Sequence, residues 1–546
     1  MVSSTPISRW KNWIPIGFEP TSTGTQVRIY WRKAMIAFVV LSITGWLSAA
    51  VGAYLFVKYS RGFDEVKFIH ILFIPWKIDE YREARGQFLI RQAQDDLKKQ
   101  KYREAFYNLR VGTSLSPENG EGRMLLAQFY VAWQRPDLAR QTLMDGLASN
   151  RQVDEYIKSV FTYLLHQQED FDIIKIADSL IADEGNRTVF NSRTRLIATA
   201  KATALFYRGN YDASEDTIKK YQLAETPDGK MLAIQIEWER GDRTNVFEQL
   251  EALANQYPKY DNIYTQYAAY LREDGREDDL RRLCILRQIR FPDQPRPRID
   301  LLYLLNKSKD EERIQSDIEG VFRDYGKNSE IMLALADFAA NTGRAELAFR
   351  IYKHCKATRL PWDGPALMTV EAHIVAKEYQ EALAAARQML RDNPEWGKRF
   401  YSVFNGLQAI ANYGLDDTSS AQIFLNNFLN QSGGRADNLI AVANRLQNVG
   451  AKSQARQVLN QAVRSDPLNQ TALANLIKVD IDLGNSDEVA TNTRTLLTMR
   501  KPPRKVLASS YNTLASDQNL FVPARAALLN ELRKNIEKAP DHPEKS

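Results

Sequence analysis

A small or apolar residue returns along this chain about every 34 residues, and that rhythm constrains the fold more than any other feature. In KKQKYREAFYNLRVGTSLSP the pattern is Tyr102, Ala105, Leu109, Gly112 and Pro117. KEYQEALAAARQMLRDNP repeats it with Tyr379, Ala382, Ala386, Met389 and Pro394, and GAKSQARQVLNQAVRSDP with Gly450, Ala455, Leu459, Ala462 and Pro467. Equivalents of the first Ala fall at Ala105, Ala139, Ile174, Ser214, Val246, Leu280, Ile314, Ala348, Ala382, Ala421, Ala455 and Val489, and seven of the eleven steps are 34. Apolar residues four and seven places after that Ala make one helical stripe, and a following Pro ends the helix. A unit this short cannot bury its apolar face alone, so units must stack, each touching only its neighbours.

The spacing resembles the tetratricopeptide repeat (TPR) family, whose unit is 34 residues. Twelve places before the repeated Ala stands another small residue, at Ala93, Ala127, Ala202, Ala268, Ala336 and Ala443. It matches the family position where the two helices of a unit touch. The match is carried by spacing for Ala105–Ala139 and Leu280–Val489, and spacing drifts over 150–260. The resemblance implies an all-α chain with a TPR-like α-solenoid over 84–502, about twelve repeats, closed by capping helices at 503–534. A disordered tail is expected at 535–546, with Pro540 and Pro543.

By the same resemblance, a concave groove is lined by the first helix of each unit, which places Tyr156, Tyr163, His166, Phe206, Trp238 and Tyr303 on it. Flat aromatic faces in a groove suit an extended peptide or a sugar; the alternative is that these rings pack against neighbouring helices. Some family members hold a partner's C-terminal carboxylate with a Lys and Asn pair. The matching positions here are Ile90 and Gln94, Met124 and Gln128, and Ser159 and Tyr163, which do not support such a clamp.

Ahead of the repeats, residues 34–57 (AMIAFVVLSITGWLSAAVGAYLFV) carry no charge and are long enough to cross a bilayer as one helix. Arg32, Lys33, Lys58 and Arg61 close its ends, with Tyr30, Trp31 and Tyr59 as interfacial aromatics. The run is too long, and too far from Met1, for a cleaved signal peptide. Ser42, Gly45, Ala49 and Gly52 form a stripe of small residues on which another membrane helix could pack. Basic residues close to the span tie at three a side; Arg9 and Lys11 tip the count, so the leader at 1–33 is expected in the cytoplasm and the array outside it. In the juxtamembrane stretch 58–83, the apolar run Phe68–Trp76, broken by Pro75, reads either as a segment lying in the membrane interface or as a staple beneath the first repeat.

Chemistry finds little support. The chain lacks GxxxxGK[ST], HExxH, CxxC and GxSxG. The neighbours His354 and Cys355 point about 100° apart on a helix, and a Cys at that repeat position packs in the core. Cys284 and Cys355 fall in non-adjacent repeats, which argues against a bridge. A net charge of +6, from 73 basic and 67 acidic residues, is too diffuse for nucleic acid. The sequence therefore points to no enzyme, cofactor or metal. It suggests a single-pass protein of the inner membrane with a scaffold that holds protein partners (peptides or membrane-complex subunits) in envelope assembly or secretion. The alternative is an accessory scaffold of polysaccharide synthesis or export whose aromatic groove contacts glycan.

Overall fold

A computed structural model of the chain describes residues 15–21, 24–63, 66–74, 76–183, 191–294, 296–430 and 434–537. Arg9, Lys11, Pro75 and the tail beyond Glu537 lie outside them. The chain divides into two compact units, Met1–His166 and Gln167–Ser546. The boundary falls inside the third helix pair counted from the sequence, between the Asp154–His166 and Asp170–Asp183 helices.

The first unit opens with the one departure from all-α structure among the described residues. A hairpin pairs Ile16–Thr21 antiparallel with Gly24–Ile29, from Ile16↔Ile29 to Thr21↔Gly24. The apolar helix follows at Trp31–Leu55 and continues as a wider turn over Phe56–Ser60. Among the described residues it is the one helix long and apolar enough to cross a membrane. Ser42, Gly45, Ala49 and Gly52 are all exposed, and a Cβ built on Gly45 or Gly52 meets nothing within 4 Å. The juxtamembrane run forms a short helix at Phe68–Leu72. Val66 and Ile71 bury themselves with Ala50 of the apolar helix and Ala84 of the Ile78–Lys98 helix, so one face of the run is a staple.

From Ile78 onward the chain is a succession of antiparallel helix pairs. The repeated small residue sits one turn into the second helix of each pair, where a side chain larger than the space would force the helices apart. Ala105, Ala139, Ser214, Val246, Ala348, Ala382, Ala421, Ala455 and Val489 are completely buried there, as are Ala93, Ala202, Ala336 and Ala443 on first helices. Ser214 shows the two positions in contact: its hydroxyl, replacing the usual methyl, donates to the Ala202 carbonyl at 2.8 Å.

A backbone feature marks the same register independently. Each turn between the two helices of a pair contains one residue of positive φ: Gln100, Gln134, Gln168, Gly209, Gly241, Gly275, Lys309, Gly343, Lys377, Asp416, Gly450 and Gly484. Each stands five places before the small residue, with one correction. After Gln168 the fifth residue is Ile173, which is buried, and not Ile174, which is half-buried. Two adjacent isoleucines make the sequence ambiguous by one place, and the turn decides between them. The long step between Ala382 and Ala421 also has a cause. An extra short helix, Trp396–Arg399, precedes the Tyr401–Gly414 helix and buries Trp396 against Trp362, rings 5.1 Å apart and 29° from parallel.

The expectation that repeats touch only their neighbours needs correcting. In the second unit Gln168 Nε2 donates to the Leu468 carbonyl at 3.2 Å, and Arg208 Nη1 to that of Thr498 at 3.1 Å. Fully buried Asp170 faces the guanidinium groups of both Arg208 and Arg500. Lys501 Nζ lies 2.9 Å from a Glu239 carboxylate oxygen. The first and last pairs of this unit thus meet, and the extended Met499–Pro503 segment is the piece that fastens them.

Candidate partner-binding groove

Within the second unit the first helices of successive pairs face one another across the inside of the superhelix. Arg445, on Ala436–Asn448, donates through Nε to Glu371 Oε1 at 3.1 Å and through Nη2 to Asn341 Oδ1 at 2.6 Å, a residue 104 places earlier. Asn341 in turn donates to the Tyr303 hydroxyl at 3.2 Å. Side chains from four helix pairs therefore form one polar chain along the inner face, which only a tightly wound array permits.

Beside Tyr303 lies a groove of about 900 Å³ between the Arg296–Ser308 and Ser329–Asn341 helices. Its apolar floor includes Tyr303, Ala334, Met368 and Leu333, which is 42 % exposed. Asp293, Asp300, Glu330 and Asp337 ring it, with Arg296 as the one cation in the lining. Asp300 is engaged by Arg272 at 2.6 Å and Arg296 at 3.3 Å. Asp293, Glu330 and Asp337 make no ion pair among the described residues. Burial pushes the Tyr303 phenol above its ordinary range, so it stays a neutral hydroxyl.

The other predicted groove residues have different surroundings. Tyr156 is buried, its hydroxyl donating to the Leu143 carbonyl at 2.6 Å, and Tyr163 is buried as well. His166 is exposed at the end of its helix. Phe206 lies under the Lys501 ammonium, 3.4 Å from the ring centre. Trp238 stacks flat on Tyr270 at 4.0 Å, with the Arg243 guanidinium 4.5 Å from its centre. Packing is therefore the role in which Tyr156, Tyr163, Phe206 and Trp238 stand here, and Tyr303 is the one that lines the groove.

No protein-family model and no curated protein matches the chain. Similar solved structures include one of Naa15/Naa10 bound to HypK-THB, 13% identical, covering 91% of this chain and 78% of that one at a TM-score of 0.30. Yeast Tom70 is 12% identical over 84% of this chain and 99% of its own, at 0.32. The APC/C Cut9–Hcn1 hetero-tetramer contributes a chain 12% identical, over 82% and 96%, at 0.24. These are TPR-type helical repeat proteins. Scores this low carry no argument about function; the TPR-like solenoid assigned here rests on the helix pairs and their register.

Sequence reasoning missed the residues that organise the groove. Arg445, Glu371 and Asn341 look like ordinary surface polar residues, and only the superhelical turn brings them together. Arg500 and Lys501 had a visible signal, a basic pair followed by two prolines immediately after a repeat, which read merely as punctuation. His354 and Cys355 do not form a nucleophile pair. His354 Nε2 lies 2.7 Å from the Gly326 carbonyl oxygen, and burial pushes the Cys355 thiol up. Among the described residues no His, Cys, Asp and Glu cluster is arranged to hold a metal.

Proposed function

We propose that this protein is a single-pass membrane-anchored scaffold, not an enzyme, and that its second unit holds an extended segment of a protein partner in the groove beside Tyr303. The observation that carries this reading is the pairing of an exposed apolar floor with carboxylates that have no cation of their own. Asp293, Glu330 and Asp337 are unpaired among the described residues, in a chain that is basic overall. A peptide presenting Lys or Arg beside an aliphatic side chain would satisfy both. Glycan is the second reading, since the Tyr303 hydroxyl and the same carboxylates also suit sugar hydroxyls.

A photo-crosslinking residue at Leu333 of the full chain in its native membrane tests this. A discrete protein adduct at Leu333, absent from the exposed outer position Ile423 and lost with Glu330→Lys/Asp337→Lys, is expected. Equal labelling at both positions would remove the groove from the reading, and a glycan adduct would favour the alternative.

The apolar helix with its basic leader supports an inner-membrane protein with the array outside the cytoplasm, acting in envelope assembly or secretion. A reporter that is active only outside the cytoplasm, fused after Ser546, should be active; activity of a cytoplasmic reporter there would reverse the orientation.

A further inference from the structure

The chain does not leave the apolar helix at its end. After Ser60 it turns, and the Phe68–Leu72 helix runs back along the face it has just left. Phe68 meets Tyr54 edge-on at 5.7 Å, and one helical turn later the Leu72 carbonyl accepts a hydrogen bond from Trp46 Nε1 at 3.0 Å. From Ser60 back to Trp46 is roughly 20 Å of helix axis at 1.5 Å per residue. The bond joins two groups that are costly to leave bare in lipid, an indole N–H and a carbonyl at a helix C-terminus. The backbone of the returning segment is otherwise held too: Phe73 N–H donates to Ile69 at 3.2 Å, and Trp76 and Lys77 N–H to Phe73 at 2.9 and 2.8 Å.

One face of this segment is buried by Val66 and Ile71. The other is bare and apolar, with Ile69 46 %, Phe73 43 % and Trp76 79 % exposed. Charge resumes at once with Lys77, Asp79 and Glu80, and Lys77 Nζ pairs with Glu80 at 2.6 Å. These charges exclude a segment lying at the centre of the hydrocarbon, and the apolar face argues against one lying in water.

We propose that the Phe68–Trp76 segment is a lipid-seated platform, half-sunk in the leaflet on the array side, with Ile69, Phe73 and Trp76 as its membrane contacts. The lengths agree. Ala34 to Trp46 spans about 20 Å of helix, and an interfacial segment sinks about 5–10 Å, which together approach the roughly 30 Å of a hydrocarbon core. Trp46 and Trp76 sit where interfacial aromatics belong. Continuity with the crossing helix makes lipid the occupant of this face, so the proposal rests on the membrane-anchored reading.

The test uses the full chain in phosphatidylcholine–phosphatidylglycerol vesicles, with a nitroxide attached to Phe73→Cys, Trp76→Cys, Leu41→Cys or Lys99→Cys. The native thiols, Cys284 and Cys355, are buried and stay in place. Collisions with dissolved oxygen are compared with those of a water-soluble nickel chelate. Oxygen should dominate at Leu41, Phe73 and Trp76, and nickel at Lys99. Nickel dominating at Phe73 and Trp76, with oxygen dominating at Leu41, overturns the platform and leaves the anchored reading standing. Nickel dominating at all four overturns both. Ile69→Cys supplies the same readout should either platform variant lose its helical circular dichroism.

Discussion

Arg500 Nε donates to Asp170 Oδ2 at 2.9 Å, and Arg500 Nη2 donates to the other carboxylate oxygen, across 330 residues of chain. The guanidinium also lies 4.4 Å from the centre of the Tyr207 ring. With Asp170 fully buried, water cannot replace either partner, and removing one leaves a charge stranded. Asp170→Asn should destabilise the protein by about 3–5 kcal/mol, and Arg500→Ala by less, about 2 kcal/mol, because Arg208 remains beside the carboxylate. Pulsed distance measurements between spin labels at exposed Asp216 and Ser509 should show a narrow distribution that broadens in both variants. An unchanged distribution in both would mean that the ion pair does not join the ends.

Removing one repeat in register, 34 residues beginning at Asp363, is a stronger perturbation of the same joint. The remaining helix pairs keep their local contacts, so far-UV circular dichroism should stay helical. The shortened superhelix no longer brings Met499–Pro503 back to Asp170, and the label distance should lengthen. A deletion variant that keeps the wild-type distance would refute closure.

Ala382→Trp tests the repeat register. Ala382 is completely buried between two helices, and a ring there should cost on the order of 1–3 kcal/mol or more. Glu381, its exposed neighbour, should accept Trp at almost no cost in a thermal melt. Equal losses at both positions would shift the register.

The positive-φ turns offer a second test with no side-chain packing involved. A Cβ on Gly450 meets nothing within 4 Å, so Gly450→Ala should cost only the left-handed backbone penalty, about 1–2 kcal/mol. At the equivalent, exposed Lys377 the change to Gly should stabilise by up to about 1 kcal/mol. Chemical denaturation of both variants reads the pair, and effects of the same sign would count against the assignment.

Alkali should expose buried phenols. Burial, the main cause, pushes Tyr156, Tyr211 and Tyr260 up to about 12 from an ordinary value of 10, with the nearby carboxylates Glu239 and Asp228 adding to Tyr211 and Tyr260. The folded pKa is the higher one, so this stability is complete below pH 10 and lost between pH 10 and 12. Phenolate absorbance from these residues should therefore lag behind that of exposed tyrosines and rise with the loss of helical signal. Uniform ionisation near pH 10 with helices intact would contradict it.

The repeat was legible because it depends on local rules. Ala382 needs a small side chain, Gly343 a left-handed backbone and Pro394 a helix end, and each leaves a mark within a few residues. The one-place error at Ile174 arose where two equivalent side chains stand together and only the turn at Gln168 separates them. The groove was far less legible. Phe206 and Trp238 were placed on the right helices, but what covers them, Lys501 and Tyr270, follows from superhelical pitch and stacking, to which no local pattern points. Tyr303 was found through its aromatic ring, whereas its setting is made by Asn341 and Arg445 from later repeats. The Ile16–Ile29 hairpin escaped notice because its strands are short and precede the apolar helix that dominates that end of the sequence.

The joint between Asp170 and Arg500 also has a timetable. Synthesis runs at about 5–20 residues per second, so the 330 residues between them take roughly 15–70 s to appear. Throughout that interval the nascent chain displays the pocket around Asp170 and the face of Phe206 with Arg208 already made and Lys501 still to come. Closing so long a loop is among the slowest steps open to a helical protein, and it falls after every neighbouring pair has formed. The ribosome-bound intermediate thus carries, for tens of seconds, an anionic aromatic cleft that the finished molecule no longer shows.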